Sequence, residues 1–196
     1  MAHSSTMEKL GSTAPIFELP NFNPGYSENM VSLETFNKYP ALLIVFICNH
    51  CPYVIHIRDS FLSFSNEYES KGLGIVAISS NDVGSYPDDS PDKMREDALK
   101  YAYPFPYLFD GNQEVAKSYR AACTPDFFLY DKERKLVYRG QYDSSRPKNS
   151  VSVTGEDIRR ATEALLNGEK LTEEQLPSMG CNIKWKKGSE PDYFFS

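Results

Sequence analysis

The chain has 196 residues, which suits one domain with appended segments. Hydrophobic residues make up 40% and charged residues 24%, a globular composition that excludes collagen-like, coiled-coil and wholly disordered chains. The net charge is −6 and no run of basic residues is longer than two. We therefore expect no binding of nucleic acid or of a membrane surface through positive charge.

The first half of the chain alternates between strand and helix patterns. Residues 16–19 indicate a short edge strand, and the uninterrupted apolar residues 41–47 indicate a strand buried on both faces. A helix is expected from Pro52 to Lys71-Gly72, because apolar residues recur there at helical spacing, and residues 74–79 follow as a second buried strand. Strand, helix and strand in this order predict a right-handed βαβ unit with parallel strands.

The second half adds two helices, a hairpin and a last helix. Residues 81–91 predict a polar, mobile loop, and helices are expected over about 91–101 and 112–120. Residues 126–130 and 135–139 flank a polar turn and predict a hairpin, and a last helix ends at Asn167-Gly168. The predicted fold class is α/β, with a central mixed sheet flanked by helices.

Three segments are expected along the chain. Residues 1–11 are interpreted as a disordered leader or an artificial extension, residues 12–168 as one domain, and residues 169–196 as a tail whose apolar side chains pack on the domain. The N-terminal residues show no basic stretch followed by an apolar one, so no secretory signal is recognised and a cytoplasmic location is expected. The longest apolar run is far shorter than the roughly 20 residues that cross a bilayer.

Four cysteines are too few for a disulfide scaffold, and Cys48 and Cys51 form a C-x-x-C motif. The motif lies between a buried strand and a helix, so free amides and the helix dipole are expected to stabilise the Cys48 thiolate. An imidazolium at His50 would add to this effect and make the disulfide relatively oxidising. The sequence thus predicts that Cys48 attacks a disulfide and that Cys51 resolves the mixed disulfide.

The element order and the position of the C-x-x-C motif resemble the thioredoxin-like superfamily, in particular its redoxin (AhpC/TSA-type) branch. The resemblance covers residues 12–168, and Cys-Asn-His-Cys-Pro-Tyr-Val at 48–54, together with residues 177–186, is similar to a bacterial thioredoxin-like family. It implies an N-terminal strand extension of a thioredoxin-like fold, thiol-disulfide oxidoreductase and antioxidant activity, and no cofactor. It also implies a cis bond before Pro125, with backbone groups near Thr124 pairing with an extended peptide in a substrate groove.

The implied partners are a disulfide-containing protein or small thiol and an unidentified electron donor or acceptor. Cys123 and Cys181 are candidate accessory thiols. Cys123 lies two residues before Pro125, among small residues that suit an inert buried thiol. Cys181 lies in the tail and is interpreted either as a second resolving thiol or as a residue that packs beside Trp185.

Two other functions stay open. Peroxiredoxins carry a P-x-x-x-T-x-x-C motif, and aligning its cysteine with Cys51 puts Ile44 at the proline and Cys48 at the threonine. A thiol peroxidase that uses Cys51 is therefore the second interpretation. A non-catalytic or metal-binding module is the third, but zinc usually takes four ligands and the sequence has no second C-x-x-C motif, so no metal is predicted.

Overall fold

The protein is described by a computed structural model over residues 2–172 and 174–195. In chain order, its strands and helices are β1 (Ala2–Ser4), β2 (Glu18–Pro20), β3 (Met30–Ser32), β4 (Ala41–Phe46), α1 (Pro52–Glu69), β5 (Leu73–Ser79), α2 (Pro91–Lys100), β6 (Tyr107–Phe109), α3 (Glu114–Ser118), β7 (Cys123–Thr124), β8 (Asp126–Tyr130), β9 (Leu136–Gly140), α4 (Glu156–Leu166) and β10 (Met179–Asn182). Short 3-10 helices cover Leu33–Phe36, Pro87–Asp89 and Asp192–Phe195.

A five-stranded mixed sheet with the order β6-β5-β4-β8-β9 forms the centre of the fold. Strand β4 is parallel to β5 and antiparallel to β8, and β8 and β9 form an antiparallel pair. The predicted βαβ unit and the predicted hairpin are therefore confirmed. The apolar run of β4 is uninterrupted because Leu43 and Val45 pack into the core on one face of the sheet, whereas Leu42 and Ile44 pack into the core on the other.

Helix α1 presents one apolar face to the sheet, and its first residue is a proline. Val54, Ile57 and Phe61 are among the buried residues of this face. Pro52 suits the first helical position and keeps the residue before it out of the helical conformation. Cys51 accordingly has an extended backbone, with φ −68° and ψ 121°, and is the N-cap of α1.

Helix α1 ends at Glu69, and the turn that follows includes Gly72. The φ of Gly72 is 100°, in the left-handed region that favours glycine. Among the described residues, no helix combines the length and the apolar character that crossing a membrane requires.

Strand β10 lies in the middle of a second sheet, between β1 and β7. The expected disordered leader is wrong for Ala2–Ser4, because these residues pair with Met179–Cys181 of β10 and Ser5 N–H donates to the Ser178 carbonyl at 2.8 Å. The composition of residues 1–11 could not predict this pairing, because the hydrogen-bonding partners lie on the edge of β10. Farther along the tail, Ile183 and Trp185 are buried against the main sheet.

A buried ion pair anchors the segment around β7. Arg139 and Asp126 are both inaccessible to solvent, with 3.2 Å between Nη2 and Oδ2. Arg139 also donates to the Ser5 hydroxyl at 2.9 Å and to the Arg120 carbonyl at 2.7 Å, and Asp126 accepts from the Ala122 amide at 3.1 Å. Burial nevertheless raises the pKa of the Asp126 carboxyl. The ion pair thus ties β8 and β9 to the segments that lead into β1 and β7.

Replacing Arg139 with Met should strongly destabilise the fold, because it leaves the Asp126 carboxylate buried without its counterion. We expect the free energy of unfolding to fall by about 3–5 kcal/mol in urea denaturation at pH 7. The double variant Arg139→Met/Asp126→Asn should recover part of this loss. Lys93→Met, which removes an exposed pair with Glu96, is the control and should cost at most about 1 kcal/mol. An equally small loss for Arg139→Met would contradict the anchoring role.

Candidate active site

Cys48 and Cys51 lie between the end of β4 and the first turn of α1, and both are buried. Their exposed fractions are 2% and 0%, and both are free thiols. Each side chain shifts the pKa of the other, so the two thiols titrate as a pair.

The Cys51 sulfur is the member of the pair that carries negative charge most easily. The Cys48 thiol donates to it, which is the largest effect, and further donors are the Thr124 side chain and the backbone N–H groups of Cys181 and Val54. Together they lower the pKa of Cys51 to about 5, although burial alone would raise it. As a neutral thiol, Cys51 donates to the Thr124 carbonyl at 3.1 Å, a contact that favours the protonated form. The donors to the Cys51 sulfur have the larger effect on its pKa.

The surroundings of the two sulfurs favour negative charge on Cys51, whereas the sequence analysis predicted the thiolate at Cys48. Its hydrogen bond to Cys51, its burial and the negative charge of Asp89 raise the pKa of Cys48 well above its ordinary value. Pro52 contributes to this difference, because it makes Cys51 the N-cap and so places the Cys51 sulfur next to the first turn of α1. The Cys-Pro dipeptide was the sequence signal for this arrangement.

His50 is held by a buried carboxylate that the sequence analysis did not single out. Its Nδ1 lies 2.8 Å from Oδ2 of Asp89, which is fully buried, and its ring stacks on Tyr86 with 5.9 Å between centroids. Asp89 also accepts from the Asn49 amide at 2.9 Å and from the Asn81 side chain at 2.7 Å. His50 is therefore positioned by the Asp89 carboxylate, whereas the sequence analysis had paired it with the thiolate.

Residues 81–91 were predicted to be a mobile polar loop, yet they place Asp89 inside the site. A signal was available, because β4 and β5 are parallel neighbours and the loops after such strands meet at the same edge of the sheet. Cys48 follows β4, and the loop that carries Asp89 follows β5. An acidic residue in that loop was therefore a candidate for contact with the motif.

Cys48, His50 and Asp89 also form a set of groups that could hold a metal ion. Their sulfur, imidazole nitrogen and carboxylate oxygen all lie within 4.8 Å of one another. This set suits zinc in chemical type but supplies three of the four usual ligands. The same proximity also suits proton transfer from the Cys48 thiol.

The peptide bond between Thr124 and Pro125 is cis, as the family resemblance implied. Thr124 is buried between the two sulfurs, with its hydroxyl 3.6 Å from the Cys48 sulfur. The expected groove for an extended peptide at this position is not open, because Cys181 of β10 pairs with Thr124. Gly180 makes this close approach feasible, since any side chain there would overlap the Thr124 carbonyl.

The two remaining cysteines differ in their relation to this site. Cys123 is fully buried, its sulfur lies 3.6 Å from the Pro125 carbonyl oxygen, and burial raises its pKa well above the ordinary value. Cys181 is half-buried, and its thiol is hydrogen-bonded to Cys51. Burial and the charge of Cys51 raise the pKa of Cys181 to about 11. The structure thus brings together Cys48, Cys51 and Cys181 and leaves Cys123 as a packing residue.

A sequence profile described as the AhpC/TSA family matches residues 10–139, about two thirds of the chain. The chain belongs to the AhpC/TSA family. Among solved structures, an uncharacterized conserved protein from Geobacillus kaustophilus is 51% identical in sequence to this chain, with a TM-score of 0.91 over 95% of this chain and 97% of that one. A hypothetical protein from Sinorhizobium meliloti is 46% identical, with a TM-score of 0.90 over 94% of this chain and 99% of that one. No match was found among curated proteins.

More distant members of the fold carry redox descriptions. The thioredoxin domain of a thiol-disulfide oxidoreductase from Bacteroides vulgatus is 18% identical, with a TM-score of 0.58 over 78% of this chain and 97% of that one. A peroxidoxin from Mycobacterium tuberculosis is also 18% identical, with a TM-score of 0.59 over 83% of this chain and 99% of that one. These likenesses establish the thioredoxin-like fold of this AhpC/TSA protein, and its family supports an oxidoreductase.

The reduced AhpC/TSA protein should show thiolate absorbance at 240 nm that appears with a midpoint near pH 5. Cys48→Ala should move the midpoint upward, because the strongest donor to Cys51 is lost, and Cys48→Ser should move it less because its hydroxyl can still donate. Cys51→Ser should abolish the transition, whereas Cys123→Ser should leave it in place. A first midpoint above pH 8 in the wild-type protein would contradict the assignment.

Proposed function

We propose that the protein is a thiol-disulfide oxidoreductase whose redox centre is the Cys48–Cys51 pair. The observation that carries this proposal is the placement of both sulfurs against Thr124 at the start of α1, with Cys48 3.6 Å from its hydroxyl and Cys51 3.1 Å from its carbonyl oxygen. One sulfur of the pair can attack, and the other belongs to a second thiol beside it that can resolve the product. Thiolate rather than thiol is the nucleophile in such exchange.

In the proposed first step, the Cys51 thiolate attacks one sulfur of a substrate disulfide. A bond forms between Cys51 and that sulfur, and the other substrate sulfur leaves as a thiolate. Cys48 then loses its proton and attacks the Cys51 sulfur, which releases the second substrate thiolate. The substrate disulfide is thereby reduced by two electrons, and the Cys48–Cys51 disulfide is formed. The reverse sequence oxidises a substrate dithiol.

His50 and Asp89 are the proposed acceptors of the Cys48 proton. An imidazole nitrogen and a carboxylate oxygen lie within 4.8 Å of the Cys48 sulfur, and the contact of 2.8 Å between His50 Nδ1 and Asp89 Oδ2 orients the ring. A base oriented by a third group beside a nucleophile is the arrangement that activates cysteine in other enzymes. This role replaces the electrostatic role that the sequence suggested for His50.

The low pKa of Cys51 bears on the direction of electron flow. Stabilising the thiolate stabilises the reduced pair, so its disulfide accepts electrons more readily. We therefore propose a pair that is more oxidising than that of thioredoxin, which lies near −270 mV. The proposed substrates are disulfide-containing proteins or small thiols, and the proposed location is the cytoplasm.

A peroxidase is the second candidate, and the charge on Cys51 favours it. Cys51-Pro52 is the position that aligns with the peroxidatic cysteine, and Cys48 occupies the threonine position and donates to it. The Cys51 thiolate would attack hydrogen peroxide to give a sulfenic acid and hydroxide. Cys48 would then condense with the sulfenic acid, forming the disulfide and releasing water.

Single serine variants at the three buried cysteines test the two candidates. With Cys51→Ser, we expect insulin disulfides to be reduced no faster than without the protein, because the attacking sulfur is lost. Cys48→Ser should form a mixed disulfide once and then stop, because the resolving thiol is lost. Cys123→Ser is the matched control and should keep wild-type turnover.

Hydrogen peroxide consumption is measured on the same proteins with a thiol reductant. Rapid consumption that persists in Cys48→Ser and is lost in Cys51→Ser would assign the peroxidase function. Insulin reduction and peroxide consumption by the wild type that do not exceed the rates without protein would exclude both candidates and favour the non-catalytic module.

The rate of attack on a small disulfide should follow the ionisation of Cys51. Because its pKa is about 5, the rate should rise as the pH increases through 5 and should stay level from about pH 6 to pH 8. Single-turnover measurements on the reduced wild-type protein follow this step, and the Cys48→Ser variant, in which resolution is blocked, should give the same profile with a midpoint moved somewhat upward. A rate that still climbs steeply between pH 7 and pH 9 would show an ordinary thiol.

A further inference from the structure

The third thiol of the site, Cys181, is the one that solvent reaches. Cys48 and Cys51 are only 2% and 0% exposed, whereas Cys181 is half-buried. Cys181 lies opposite Thr124, whose carbonyl oxygen is 3.1 Å from the Cys51 sulfur, and it packs against the core cluster that contains Cys48 and Cys51. Cys181 therefore lies between the buried pair and the exterior.

The strand that carries Cys181 takes the position expected for an extended substrate. Strand β10 pairs antiparallel with β7, and Cys181 lies opposite Thr124, the residue before the cis bond. Gly180 allows the two backbones to approach closely, and β1 pairs with the outer edge of β10. The backbone edge at Thr124 is thus occupied by the chain itself, with a cysteine directly beside the redox pair.

We propose that Cys181 is a third redox-active thiol, through which small external thiols and disulfides exchange electrons with the buried Cys48–Cys51 pair. This inference rests on the proposed thiol-disulfide function and names the substrate class of the same site. An extended peptide cannot pair with the Thr124 edge while β10 fills it, so a protein disulfide would also have to react through Cys181.

The relay balances in sulfur, protons and electrons. In the oxidised protein, Cys181 attacks the Cys51 sulfur, a Cys51–Cys181 bond forms, and the Cys48–Cys51 bond breaks. The proton of Cys181 is transferred to the departing Cys48 sulfur, which becomes a thiol. An external thiolate then attacks the accessible Cys181 sulfur and releases the Cys51 thiolate, and a second external thiol frees Cys181 and leaves as the external disulfide.

The charges at the site favour this order of events. In the reduced protein, the negative charge of Cys51 and its hydrogen bond keep Cys181 protonated, in addition to the effect of burial. Forming the Cys48–Cys51 disulfide removes that charge, so Cys181 ionises more easily in the oxidised protein. The proton it loses suits Cys48, whose raised pKa favours the thiol. Cys181 is therefore a poor nucleophile while the pair is reduced and a better one after the pair is oxidised.

A trapping experiment in the full chain tests whether Cys181 reaches Cys51. The reduced Cys48→Ser variant is mixed with one equivalent of the aromatic disulfide 5,5′-dithiobis(2-nitrobenzoic acid), and released thiol and protein mass are measured. We expect two equivalents of released thiol and a Cys51–Cys181 disulfide in the peptide map. Cys48→Ser/Cys181→Ser should release one equivalent and retain the adduct, and Cys48→Ser/Cys123→Ser should match Cys48→Ser. A retained adduct on Cys48→Ser, with Cys181 free, would overturn the proposal.

Reduction kinetics provide the second measurement, with Cys48 and Cys51 intact. A neighbouring thiol acts at a concentration of millimolar or more, so with about 0.1 mM dithiothreitol we expect Cys181→Ser to be reduced at least about tenfold more slowly than the wild type. Cys123→Ser should be reduced at the wild-type rate, and circular dichroism verifies that each variant is folded. An unchanged rate in Cys181→Ser would overturn the relay and leave the proposed function standing. Unchanged insulin reduction in Cys51→Ser would instead refute the proposed function.

Discussion

The site depends on one buried sulfur that can hold negative charge because hydrogen-bond donors from three directions surround it. Cys48 approaches from the segment after β4, the Val54 amide from the first turn of α1, and the Cys181 amide from β10. Each donor belongs to a different part of the chain, so the charge on Cys51 can be stable only when the sheet, the helix and the tail are assembled. The chemistry proposed for the pair is therefore a property of the tertiary fold and is not contained in the C-x-x-C motif alone.

The framework around the sulfur uses two buried carboxylates. Asp89 holds the amide of Asn49 and the ring of His50, and so fixes the segment between the two cysteines. Asp126 and Arg139 hold the segments next to β7, where Thr124 contacts both sulfurs. A buried carboxylate is tolerated when it is paired and hydrogen-bonded, and both of these are. Rigid placement of donors costs no rearrangement when the charge develops during reaction.

Sequence patterns were sufficient for the local architecture and insufficient for the assembly of the site. The apolar run of β4, the helical face of α1 and the turn at 131–134 predicted the βαβ unit and the hairpin, because burial and turn preferences act over short distances. The pairing of β10 with β7 and β1 could not be read in the same way, since no periodicity in the tail specifies which edge it joins. Gly180 is informative only once its contact with Thr124 is known.

The most direct test of the account assigns the negative charge to one of the two cysteines. Protein labelled with carbon-13 at the cysteine β-carbons is reduced, and the Cys48 and Cys51 resonances, identified with the single serine variants, are followed by NMR from pH 4 to pH 9. The account predicts that the Cys51 resonance shifts by the larger amount with a midpoint near pH 5, with a smaller coupled change at Cys48. A larger shift at Cys48 over that range, or no shift of either resonance below pH 8, would contradict it.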